Sequence, residues 1–442
     1  MPPIIKALLR SEEKFVRTDY SQKPRVFKEE KHFFQQETEL QRAVQASKME
    51  RLFSKPLIKQ LDGHPDSIVS ISQYRGNLLS SGMDGSVKLW DAQGGLINSI
   101  QAHNMCVGSV NLGQVMLSVG RDGKLFWLDQ SLNLTQQVQV NVDPKWICAS
   151  SGGQFAISSY KSQLYDITRG EPISSFQQSN FSIFSQQDPN LLLLLDGISV
   201  IIKDVRMNAD AFSFKTAGRS NQACFNPMFP GMIVLAQDDG CGYSFDLKNP
   251  KQALDKYGGQ TFPMVSVDIS PSGRDIVLGN NQGQMMLYKT RTVQRNQVAT
   301  DTILKAVNQE METARSQPFN QYLKYRDLYH ARRMHQVNVV KFSEDGRYIF
   351  SGSSEGAIRQ WKTFAEQNER TKTYSQDQNI SVNKQLSQKF QNVGIIRDVR
   401  NSHKVPRKIH AAQVAASAHH QAEMRKLHKG KNSALDVVRK EQ

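Results

Sequence analysis

Only four cysteines occur in the 442 residues, Cys106, Cys148, Cys224 and Cys241, and no two of them form a CxxC pair. No histidine cluster stands at ligand spacing beside them. A zinc site or a disulfide framework is therefore not expected, and free thiols buried in a reducing compartment are. No run of about 18 apolar residues is present to span a bilayer as a helix. MPPIIKALLRSEEKF, residues 1–15, has a short apolar run but no cleavable secretory pattern. The Asn133, Asn180 and Asn379 sequons accordingly read as chance matches. Phosphate-loop, HExxH and dinucleotide fingerprints are also missing, and the carboxylate pairs are scattered. The expectation is a protein that is not an enzyme, with no cofactor, no metal and no small-molecule substrate.

Acidic residues are in deficit as well. Lys and Arg number 56 against 41 Asp and Glu, a formal net charge of +15. That excess implies acidic company, whether nucleic acid, anionic lipid or acidic protein.

What is present is a repeat. SSGMDGSVKLWD, 80–91, reads as a strand, a tight Asp-Gly turn, and a second strand ending in Trp-Asp. SGSSEGAIRQW, 351–361, is its counterpart near the end of the array. Each follows a histidine, His64 or His335, by a similar interval. The pattern resembles the WD repeat, whose unit is a four-stranded propeller blade. That resemblance implies a polar relay of His64, Ser80, Asp84 and Trp90, and a second of His335, Ser351, Glu355 and Trp361. A turn carboxylate that is partly buried needs a donor, which the histidine supplies. Glu355 is one methylene longer than the usual Asp, so the second relay is expected to be distorted.

Between these two, eroded repeats can be followed by the position of the Trp. Trp90, Leu128, Tyr165, Ile202, Phe245 and Tyr288 succeed one another at about 40-residue steps, and a longer step to Trp361 holds one repeat plus an insertion. Asp122-Gly123, Asp196-Gly197 and Asp239-Gly240 supply further turns; repeats three and six lack the turn Asp. The fold class is therefore all-β, a seven-bladed propeller, with helical N- and C-terminal extensions. PLIKQLDGH, 56–64, is placed to close the ring as an outer strand of the last blade. The domain reading is a basic extension over 1–50, a propeller over 51–363, and a basic, largely helical extension over 364–442. An insertion at about 290–330, with Ile303, Leu304, Val307 and Met311 at helical spacing, is expected as a loop between blades six and seven.

Gly352-Ser353-Ser354-Glu355-Gly356 matches the pattern of a nucleophile elbow. That elbow needs a strand-to-helix turn, whereas here strand patterns lie on both sides, so a hairpin turn is expected. SKMERLFSKP, 47–56, is basic and amphipathic; its structural reading is a short helix against the ring seam, with Lys48, Arg51 and Lys55 left unexplained. The tail over 384–442 carries thirteen Lys/Arg against four Asp/Glu. Its segment 404–431 is Ala-rich and helix-favouring after Pro406. Cations there include Lys404, Arg407, Lys408, Arg425, Lys426, Lys429 and Lys431, with Arg397 and Arg400 just before. Helix polarity explains a few charges at its C-terminal end but not their density. Such a helix suits phosphate-lined grooves in a ribonucleoprotein, and without interleaved aromatics it is not suited to base stacking.

Three stretches outside the repeats carry a more specific resemblance: RAVQASKMERLFSKP at 42–56 leading to LDGHPD, YHARRM at 329–334, and the tail with KQLSQKF at 384–390 and VP at 405–406. Together they resemble the Sof-type WD-repeat proteins of the nucleolar small-subunit processome. The resemblance implies a non-catalytic, nuclear and nucleolar scaffold associated with a small nucleolar RNP, serving pre-rRNA processing to 18S rRNA and 40S assembly. The partners implied are pre-rRNA, small nucleolar RNA and other processome proteins on the propeller faces, with no membrane. The twelve cations named above are the RNA-contact candidates. The competing reading is a substrate receptor of a cullin-based ubiquitin ligase, many of which bear WDxR at a blade end. Lys203-Asp204-Val205-Arg206 keeps the Asp and Arg of that pattern and lacks its Trp.

Overall fold

The computed structural model describes residues 34–53, 55–290, 323–365 and 374–401, apart from isolated loop positions, together with positions 411, 414, 415, 417, 418, 421, 422 and 425. Two compact units divide it: Leu57–Thr363 lies in one, and the two flanking segments, Met1–Pro56 and Phe364–Pro406, form the other.

The first unit is a seven-bladed β-propeller of seven four-stranded antiparallel sheets. Blade one runs Ile68–Tyr74, Asn77–Gly82, Ser86–Trp90 and Leu96–Gln101, and its first strand is innermost. All seven marker residues fall on third strands, and six of them face the preceding blade. Ile202 is one residue out of step, packing toward blade five, while Ile201 and Lys203 take the face toward blade three. Trp90 pairs with Leu78, Leu128 with Met116, Tyr165 with Phe155, Ile202 with Leu193, Phe245 with Ile233, Tyr288 with Ile276 and Trp361 with Ile349. The markers tolerate such varied side chains because the site asks only for a large body buried within the sheet stack. Where the turn Asp is missing in blade six, Asn280 Oδ1 takes its place, accepting from the N–H groups of Gln282 and Gln284 at 3.0 and 2.9 Å.

The ring closes as the sequence suggests. Leu57–Asp62 pairs antiparallel with Ala357–Lys362, so the N-terminal chain supplies the outer strand of the last blade. Leu61 is the single buried side chain of that strand and packs in a cluster with Ile358, Trp90 and Leu78. The Gly352–Gly356 stretch is the turn between two strands of this blade, with Gly356 at φ 83°, and not a nucleophile elbow. All four cysteines are buried and free. Burial pushes the thiols of Cys106, Cys148 and Cys224 up to about 12, which leaves them inert as nucleophiles.

The insertion corrects one expectation. Asp327–His330 pairs with Gln284–Lys289 as the outer strand of blade six. The inserted chain therefore interrupts blade six before its last strand, and does not hang between blades six and seven. Its helical positions from Ile303 to Met311 lie outside the described residues. Leu323, near its end, bridges to Tyr257 of blade five.

The second unit is helical: α1, Gln35–Phe53; α2, Tyr374–Lys389; and α3, Gly394–Asn401. The composition of α1 is rich in good helix formers, and Leu40, Ala43, Val44 and Ser47 form one stripe at helical spacing. Ala43, Leu386 and Ile396 make the buried centre, with Leu40, Val44, Val382 and Phe390 against it. Glu39 is buried and held by Lys389 Nζ at 2.8 Å, tying α1 to α2. SKMERLFSKP is thus the end of a longer helix whose described buried side chains meet the C-terminal helices, instead of a short helix serving the seam. The side chains of Met49, Leu52 and Phe53 lie outside the described residues.

Candidate nucleic-acid interface

The relay of blade one is assembled in full. His64 Nδ1 lies 3.3 Å from Asp84 Oδ1, its Nε2 lies 2.8 Å from Ser80 Oγ, and Trp90 Nε1 donates to the same Oγ at 2.8 Å. The proton balance fixes the tautomer. The Asp84 carboxylate can only accept, so Nδ1 carries a proton toward it, and in a neutral ring Nε2 then accepts from the Ser80 hydroxyl, which in turn accepts from Trp90. That arrangement requires a neutral imidazole. Burial lowers the pKa of His64 below its ordinary value of 6.5, against the opposing pull of Asp84.

A second relay escaped the sequence reading. His103 Nδ1 meets Asp122 Oδ1 at 3.1 Å and its Nε2 meets Ser118 Oγ at 3.1 Å, with Phe126 stacked on the ring. The signal was there: His103 precedes the Asp122-Gly123 turn by 19 residues, as His64 precedes Asp84 by 20. The displaced Trp127 hid it. That indole packs toward blade three and donates to the Ile167 carbonyl at 3.2 Å, while Leu128 holds the marker place.

Blade seven departs from the expected relay. Trp361 Nε1 still donates to Ser351 Oγ at 2.8 Å, but His335 is exposed and takes no part. Arg359, 1% exposed, is ion-paired with Glu355 and hydrogen-bonded to Ser353 Oγ. A buried guanidinium has to be neutralised, and the longer Glu side chain is the one that reaches it. The relay carboxylate is therefore committed before any histidine can use it.

Both His64 and His103 have their pKa lowered chiefly by burial. The unfolded chain thus binds protons that the folded chain refuses once the pH falls below about 6.5. Stability contributed by these sites is complete above that value and declines below it. The thermal midpoint should fall between about pH 7.5 and about pH 5, and a His64→Asn/His103→Asn variant should show a shallower decline. Equal slopes in the two proteins would count against the neutral relay.

The candidate RNA-contact cations are distributed as follows. Lys48 on α1 and Arg397 on α3 are exposed members of the one helical unit, and Lys55 is exposed just before the closing strand. Arg51 and Arg400 lie on the same two helices, with side chains outside the described residues. Arg425 is helical and exposed, like every described position from 411 onward. Lys404, Arg407, Lys408, Lys426, Lys429 and Lys431 lie outside the described residues. The unit also exposes Arg42 and Lys384, which the sequence reading did not single out. Arg42, Lys48, Lys384 and Arg397 enter no ion pair among the described residues, and the exposed acids there include Glu37 and Asp398. The two ends, distant in sequence, therefore display unneutralised cations on one small scaffold.

Arg206 stands at the end of the third strand of blade four. Its guanidinium grips Asp204 through two bonds of 3.1 and 2.9 Å while its side chain stays 70% exposed. Those bonds hold the Asp204 carboxyl below the usual carboxylate range. Among the described residues no cluster of His, Cys, Asp or Glu could hold a metal ion, and no helix is long and apolar enough to cross a membrane.

Comparison with known proteins agrees with this architecture. The WD domain, G-beta repeat, matches residues 55–91 and 328–362. The chain is 26% identical to Protein SOF1 of Saccharomyces cerevisiae over 455 residues, covering 92% of this chain and 87% of that protein. It is 26% identical to DDB1- and CUL4-associated factor 13 of Danio rerio over 432 residues, 92% of this chain and 89% of the other. The Homo sapiens protein of the same name is 25% identical over 465 residues, 98% of this chain and 97% of its own length.

Proposed function

Because the chain belongs to the Sof-type family of WD-repeat proteins, we propose that it is a non-catalytic scaffold of the nucleolar small-subunit processome. In this reading it serves the processing of pre-rRNA to 18S rRNA and the assembly of the 40S subunit. The propeller offers its rims to protein neighbours, and the helical unit and basic tail hold RNA. The observation that carries the reading is the union of the two chain ends into one unit on which the exposed Arg42, Lys48, Lys384 and Arg397 enter no ion pair among the described residues. A propeller that needed only its ring would have no use for such a unit, and phosphate-rich RNA answers its charge.

The test is charge reversal at exposed positions, Lys48→Glu, Lys55→Glu and Arg397→Glu together. Co-sedimentation with pre-ribosomal particles should be lost, and the salt dependence of RNA binding should lose a slope of roughly 2–3. The propeller should melt as before. Undiminished co-sedimentation would remove the RNA-holding role from this unit.

A second reading, a substrate receptor of a cullin-based ubiquitin ligase, draws on the Asp204–Arg206 pair and on relatives whose names carry DDB1 and CUL4. It ranks second because Lys203 stands where the motif has Trp. Adaptor pull-down with wild type and Arg206→Ala separates the two: capture that depends on Arg206 favours the ligase.

A further inference from the structure

At one end of the propeller's central channel lies a cavity of about 430 Å³, within the span of small-ligand pockets, about 300–1,000 Å³. Its lining comes from blades three to seven and includes Trp146, Asn180, Arg219, Asn281, Gln336 and Asn338. This is the rim where each first strand begins. Because the sheets are antiparallel, the turn after each second strand emerges at the same rim. Ser159 pairs with Pro144, so Tyr160, 75% exposed, emerges beside the start of the strand bearing Trp146.

Three features of this mouth point to one kind of ligand. Trp146 leans against Phe181 at 5.0 Å between ring centroids, and its indole N–H has no partner among the described residues. The side-chain amides of Asn281 and Gln336 are likewise unused, each offering both a donor and an acceptor. Arg219 lines the cavity, and Arg121 and Lys161 sit on the same rim in the turns after the second strands of blades two and three. All three are exposed and without a side-chain hydrogen bond or ion pair among the described residues, and Lys145, also exposed, is bonded only to Asn180 at 2.8 Å. Of the rim's carboxylates, Asp84, Asp122, Asp238, Asp239 and Glu355 are engaged by His64, His103, Asn221, Tyr243 and Arg359; Asp66 and Asp143 are exposed and Asp196 is half-buried. Aromatic faces among cations, beside amides able to meet a base edge, are the chemistry of a single-stranded nucleic-acid site.

We propose that this channel mouth binds single-stranded RNA, with an unpaired base against Trp146 or Tyr160, its edge meeting the amides, and flanking phosphates on Arg121, Lys161 and Arg219. The inference rests on the RNA-associated reading above but assigns the contact to a different unit of the chain, where base stacking, absent from the basic tail, becomes available.

Trp146 makes the test local. The other tryptophans, Trp90, Trp127 and Trp361, are buried at 3%, 4% and 1% exposure, so quenching on ligand addition reports on Trp146. The purified full chain is titrated with an oligouridylate of about ten nucleotides, with the same length of duplex RNA, and with polyglutamate, while fluorescence anisotropy of labelled oligonucleotide records total binding. The expected result is saturable quenching by the single strand alone. The quenching should vanish in Trp146→Phe, and in Arg219→Glu/Lys161→Glu the oligonucleotide should be needed at about tenfold higher concentration. Binding by anisotropy without quenching would place RNA on another surface and overturn the proposal, leaving the helical unit's role intact. Quenching by polyglutamate to the same extent would also overturn it, since the mouth would then be an acidic-protein site. Loss of particle association in the Lys48/Lys55/Arg397 variant, by contrast, bears only on the helical unit.

Discussion

Leu61→Asp should lower the propeller's unfolding free energy by about 4 kcal/mol or more, the largest stability effect expected from one substitution at the seam. Four of the other side chains in the closing strand are exposed along its whole first part, so the strand is held by its backbone ladder and by Leu61 alone. A carboxylate in the cluster of Ile358, Trp90 and Leu78 would either remain buried and uncompensated or pull the strand off the blade. The second outcome leaves Ala357–Lys362 as an open edge and breaks the circular continuity that the ring depends on. Leu57→Asp is the matched control: the same chemical change on the same strand, at a side chain 39% exposed, should cost under about 1 kcal/mol. Urea unfolding of both variants checks the pair. Equal midpoints would mean that the seam is held elsewhere.

Ile396→Asp should unfold the helical unit and leave the propeller standing. Ile396 is fully buried, and the centre it shares with Ala43 and Leu386 is small. A core of this size supplies only about 3–5 kcal/mol, and one buried, unpartnered carboxylate costs a comparable amount. The ion pair between Glu39 and Lys389 cannot compensate, because Lys389 is largely exposed and water weakens its share. Limited proteolysis should cut within both α1 and α2 in this variant, while a fragment containing the seven blades persists. Particle association should fall with it, to the level of the charge-reversal variant, because the cations lose the scaffold that groups them. Protection of α1 with α2 cleaved would show that the ends are ordered independently of each other.

These two sites also mark where sequence reading succeeds and where it stops. The seam was legible because strand alternation and Asp-Gly turns are local signals, and seven markers at a steady step leave one blade short of an outer strand. The markers could be followed through Leu128 because a buried bulk, not an indole, is what the position requires, but the step slipped by one at Ile202, where the buried Lys203 holds the place and gives no apolar signal. The outer strand of blade six was hidden because the inserted chain separates Asp327–His330 from its neighbour and only four residues form it. His335 misled because spacing gives a place in the chain and not the competition for Glu355, which the buried Arg359 wins. The union of the chain ends lay beyond local pattern altogether. Ala43 is a small residue in a polar helix, and nothing in its neighbourhood announces Leu386 or Ile396 as its partners. The cations were visible one by one, but not their grouping, nor the channel mouth where Trp146 and Arg219 meet from different blades.

The central claim is that this chain resides in an RNA-containing pre-ribosomal particle. Affinity purification of the full chain from its own cells, with and without ribonuclease, tests it most directly. Precursor rRNA and nucleolar proteins should co-purify from the untreated extract, and the RNA-dependent share should vanish after digestion. Recovery of ubiquitin-ligase components alone, unchanged by ribonuclease and without precursor rRNA, would contradict the account.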